Sequence, residues 1–79
     1  MGIKVKCTNE QSSAYGCFGE VVGTERGQSE RFITTGVLYD VQWLDWPNEG
    51  PDEIDGAQLQ EVAESTYQIE ALERALDGA

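Results

Sequence analysis

The chain predicts a small, mainly β domain that ends in an α-helix, and three observations carry that reading. Apolar residues alternate with polar ones in short runs, the period of a half-buried strand. Glycine, proline and asparagine punctuate those runs where turns are needed. Only past Ser65 does the apolar spacing lengthen to the three-and-four steps of a helix. Seventy-nine residues allow a single domain, 1–79, with one modest core. An apolar content of 39 %, including two Trp, three Tyr and two Phe, is enough to fold.

Ile3-Lys4-Val5-Lys6-Cys7 alternates apolar and basic side chains and reads as a first strand. Thr8 to Ala14 is polar and reads as a loop. Within Tyr15 to Gly23, Phe18 to Val22 reads as a second strand, bracketed by glycines that permit tight bends and close backbone approach. Arg26-Gly27-Gln28-Ser29 is a turn signal, and Arg31 to Thr35 has strand-like composition. This stretch is either a long hairpin arm or an irregular loop with an apolar anchor.

The strongest segment is Val37 to Leu44, with Val37, Tyr39, Val41 and Trp43 on one face and Asp40 and Gln42 on the other. It predicts a central strand with Trp43 as the largest core residue. Asp45-Trp46-Pro47-Asn48-Glu49-Gly50-Pro51 stops it. Short strands are expected at Glu53–Asp55 and at Gln58–Val62, the latter burying Leu59. The helix is expected over about 65–77, with Ser65 and Gln68 as a capping box and Gly78 as the stop. Ile69, Leu72 and Leu76 form its apolar stripe, and Glu70 and Arg74 form an i,i+4 pair.

Charge divides the chain in two. Residues 1–39 carry four acids and four bases, whereas residues 40–79 carry eleven acids against Arg74 alone. The whole net charge of −10 therefore lies in the second half. Such a potential draws cationic surfaces and repels nucleic acid and anionic lipid. Direct nucleic-acid binding is disfavoured, because five Lys and Arg cannot neutralise a phosphate backbone beside fifteen acids.

Chemistry is poorly supplied. With no His there is no histidine metal ligand, no His-based triad and no common acid–base group. The glycines at 16, 19 and 23 lack the Gly-Lys-Ser/Thr ending of a phosphate cradle. Asp52 and Glu53 are paired loop carboxylates with nothing to place them in a cleft. The expectation is a non-enzymatic protein without cofactor or metal. Cys7 and Cys17 are the only cysteines. They are expected as small core residues, the alternative being a disulfide closing a ~10-residue loop worth ~2–3 kcal/mol. No signal-like or membrane-length apolar run occurs, so a cytoplasmic location is expected.

The order of elements resembles a known class. Gly16-x-x-Gly19-Glu20-Val21-Val22-Gly23 resembles the opening strand of KOW- and Tudor-type modules. Tyr39-Asp40-Val41-Gln42-Trp43-Leu44-Asp45 resembles their centre, and Ile54 with Leu59 and Val62 their closing strands. Over residues 3–62 the resemblance implies a five-stranded Src-homology-3-like β-barrel, to which the helix is an addition. Where these modules often turn with Asp-Gly, this chain has Asp45-Trp46-Pro47.

The candidate contact residues lie in the acidic half: Asp45, Glu49, Asp52, Glu53 and Asp55 around the turn, and Glu70, Glu73 and Asp77 on the helix. The helical acids step ~4.5 and ~6 Å along the axis. They lie beside the apolar stripe, so a barrel that packs the stripe holds them outward. Such acidity either serves solubility or a salty cytoplasm, or, with carboxylates at intervals comparable to phosphates, mimics nucleic acid and suits the basic groove of a nucleic-acid-handling protein. Size and charge are similar in style to phage-encoded inhibitors, anti-CRISPR proteins among them, which would act in a host cytoplasm. A third class is a subunit of a larger assembly that docks through the C-terminal helix, favoured if that helix exposes an apolar face. The main alternative is a Tudor-like reader of peptides or methylated residues, or a housekeeping interaction module. It would use Trp46, the aromatic expected to be most exposed, with Tyr15, Phe18, Tyr39 and Trp43 as further cage candidates.

Overall fold

The computed structural model describes residues 2–24 and 32–77. Five strands, β1 (Lys4–Cys7), β2 (Phe18–Thr24), β3 (Leu38–Trp43), β4 (Asp52–Asp55) and β5 (Leu59–Glu61), precede one helix, α1 (Glu64–Asp77). The strands form one antiparallel sheet in the order β4-β3-β2-β1-β5. The first four are a meander. A 3-10 turn at Gly56–Gln58 then carries the chain to the far edge, where β5 pairs with β1. That turn is held by Asp55, whose carboxylate accepts from the Ala57 N–H at 2.8 Å and the Gly36 N–H at 3.0 Å.

Alternation in the sequence becomes two faces of the sheet. Val5 lies opposite Gly19, and Gly19 opposite Trp43, so these three stand on one face. The core collects there: Val5, Cys7, Val21, Tyr39, Val41, Trp43 and Leu59 are buried, with Ala14 and Val37 supplied by the connections. Tyr39 is wholly buried and satisfies its hydroxyl by accepting from the Thr34 N–H at 2.8 Å. That bond, with Ile33 packed against the core, fixes the segment before β3. Phe32–Thr35 is not a strand, so within the described residues the apolar-anchored loop is the form adopted. The Arg26–Ser29 turn, Arg31 and the Gly78 stop lie outside the described residues.

Boundaries move by small amounts with physical cause. β2 runs on to Thr24 through a bulge that shifts register between Val21 and Gly23 and leaves Val22 exposed. Helix α1 starts at Glu64, two residues earlier than the first helical position the capping box implies. Ser65 therefore lies within the first turn, and the Gln68 amide donates to the Glu64 carboxylate at 3.1 Å instead.

The larger departure is the helix's orientation. The sheet surface beneath α1 is polar, carrying Lys4 and Glu20, which face each other across β1 and β2. Lys4 donates to Glu20 at 2.9 Å, lies 3.6 Å from Glu64, and sits 5.0 Å from the centre of the Tyr67 ring. The helix docks on this patch with Tyr67, Glu70, Ala71 and Arg74, all half-buried. Its apolar stripe, expected against the barrel, points to solvent: Ile69, Leu72 and Leu76 are 58, 61 and 67 % exposed.

Candidate acidic interface

Arg74 joins two acidic stretches that are far apart in sequence. Its guanidinium lies 2.7 Å from Asp45, at the end of β3, and 2.8 Å from Glu70 one helical turn back. Hydrogen bonding from Arg74 holds the Asp45 carboxyl below the usual carboxylate range. The same two carboxylates raise the pKa of Arg74. Asp45 also accepts from the Cys17 thiol. Burial first, and that carboxylate second, push the thiol up to about 11. Both cysteines are free: Cys7 is in the core, and Cys17 is half-buried in an unreactive, protonated state.

The clasp places the last turns of α1 beside the β3–β4 turn. Glu49 on that turn, with Glu73 and Asp77 on the helix, are exposed and make no ion pair among the described residues. The remaining predicted carboxylates are engaged otherwise. Glu70 and Asp45 are neutralised in part by Arg74. Asp52 accepts from the Trp43 indole N–H at 2.9 Å, and Asp55 caps the 3-10 turn. Glu53 sits on β4, an edge strand, where charge also opposes pairing with another chain. Trp46 is half-buried against the core, its carbonyl accepting from the Gln42 amide at 2.9 Å.

Among the described residues, the two lysines are engaged away from Glu49, Glu73 and Asp77. Lys4 is committed to Glu20 and Glu64, and Lys6 stands 5.6 Å over the Phe18 ring. Glu20 is held below its ordinary range by the Lys4 hydrogen bond. Burial lowers the Lys4 pKa, but hydrogen bonding and attraction from Glu20, with Glu64, raise it on balance. Strand order puts both lysines on β1, three strand spacings and roughly 14 Å from β4. Eight of the eleven acids in the second half make no ion pair among the described residues.

The five aromatic cage candidates differ in burial. Tyr39 and Trp43 are core, Trp46 and Phe18 are half-buried, and Tyr15 alone of the five is exposed. Among the described residues no cluster of three or more His, Cys, Asp or Glu has metal-binding geometry, and no helix is long and apolar enough to cross a membrane. Family models, curated proteins and solved structures, compared with the chain, returned no match.

The acids are legible in the sequence, whereas the role of Arg74 in joining Asp45 to α1 is not. Local spacing pairs Arg74 only with Glu70, one turn away; its bond to Asp45 spans 29 positions. No local spacing signals such a contact.

Proposed function

We propose that this is a non-catalytic binding protein whose acidic second half engages a basic protein surface, that of a nucleic-acid-handling protein. The scaffold in this proposal is a Src-homology-3-like barrel, supported by the meander order, the 3-10 turn and the return of β5 to β1. The observation that carries the functional reading is the Arg74 clasp, which ties Asp45, just past β3, to the half of α1 that carries exposed Glu73 and Asp77, with exposed Glu49 four residues beyond Asp45. Concentrating like charge opposes folding through self-repulsion. A basic partner relieves that repulsion, and rim carboxylates steer its approach. Occlusion of a basic groove, as phage-type inhibitors achieve, is the mechanism consistent with this geometry. The Tudor-like alternative loses ground because Trp46 packs inward.

The test is a pull-down from cell extract with the native protein and with a Glu49→Gln/Glu73→Gln/Asp77→Asn variant. All three positions are exposed, so the fold is retained. Basic proteins are expected on the native bait and absent from the variant. Equal capture by both contradicts the proposal.

A further inference from the structure

The solvent-facing stripe of α1 is the largest mismatch between this chain's chemistry and its fold. Ile69, Leu72 and Leu76 lie roughly 180° around the helix from Tyr67, Ala71 and Arg74, which face the sheet. Intervals of three and four separate them, the repeat of a helix–helix seam, with Ile and Leu at successive seam positions and Ser65 one step before. Three apolar side chains 58–67 % exposed in a row mark a contact surface rather than scattered surface residues.

Charge selects what covers them. Glu73 borders the seam and Asp77 follows it, while Arg74 is turned toward Asp45 and Glu70. No base on α1 is left to face a visitor, because Arg74 is its only one. A second copy fits poorly: the 14-residue helix holds only two heptads, and each chain brings a net charge of −10. An anionic lipid surface is repelled by the same acids.

We propose that α1 docks along a basic amphipathic helix of the partner, whose apolar side chains meet Ile69, Leu72 and Leu76 while flanking Lys or Arg meet Glu73 and Asp77. This rests on the acidic-interface reading and deepens it. The apolar seam supplies the desolvated anchor, and the acids set orientation and approach.

The test uses synthetic helical peptides of about three heptads. One has Leu at the seam and Lys beside it, a second has the same charges with Gln at the seam, and a third has Leu at the seam with Glu beside it. Binding is measured by fluorescence anisotropy against the native protein and a Leu72→Gln/Leu76→Gln variant. Gln keeps helix propensity, and an unchanged circular dichroism melt verifies the fold. The Leu–Lys peptide is expected to bind the native protein at least ~10-fold more tightly than it binds the variant, and ~10-fold more tightly than the Gln–Lys peptide binds. Equal, salt-sensitive binding of the two Lys peptides overturns the seam and leaves the acidic interface standing. Equal binding of the Lys and Glu peptides overturns both. A dimer in sedimentation that the double variant abolishes assigns the seam to a second copy and also overturns the proposal.

Discussion

At Gly19 a backbone position makes room for the largest core side chain. A Cβ there would lie 2.7 Å from Val41 Cγ1 and 2.8 Å from Trp43 Cε3, closer than packed carbons approach. Gly19→Ala is therefore expected to destabilise the protein by about 1–3 kcal/mol through overpacking. That is a large fraction of the few kcal/mol a domain of this size holds. The denaturation midpoint followed by Trp fluorescence measures it, and an unchanged midpoint contradicts the packing described. Trp43 announced itself as core through simple alternation. Gly19 suggested close backbone approach but not its partner, because register between strands is a long-range property. Asp52 was likewise read as a surface acid; only the fold reveals the indole N–H it satisfies.

Among the elements, the strands were readable and the seating of the helix was not. Period-two alternation needs only a buried face, which Tyr39, Val41 and Trp43 supply locally. The apolar stripe of α1 was equally clear, but stripe and docking face differ here because the sheet offers Lys4 and Glu20 as the seat. Polar contacts thus hold α1, and they titrate. The folded-state pKa values of Asp45 and Glu20 are lowered, so their contribution is complete above the ordinary carboxylate value and is lost as pH falls through the lowered one. Lys4 is raised, so its contribution is complete below its ordinary value and is lost only in strong alkali. Amide protection factors in 64–77 are expected to hold from about pH 5 to 8 and to fall below about pH 4, ahead of the strands. Asp45→Asn should lower protection at neutral pH and weaken the acid dependence in the last turns. Helix protection that declines only together with the sheet contradicts this mode of attachment.

For the molecule as a whole, the acids of the second half stay largely unpaired among the described residues, eight of the eleven making no ion pair. Lys4 lies beneath α1, paired with Glu20 and Glu64, and Arg74 ties Asp45, just past β3, to the C-terminal half of the helix. An acidic surface beside an apolar seam suits a partner that is basic and amphipathic. The most direct measurement is the affinity for a captured partner as a function of salt. Between ~0.05 and ~0.5 M the screening length shrinks from about 14 to about 4 Å, so rim attraction is largely removed. Binding is expected to be at least ~10-fold weaker at the higher salt, mostly through slower association. Affinity that stays constant across that range would contradict the acidic-interface reading.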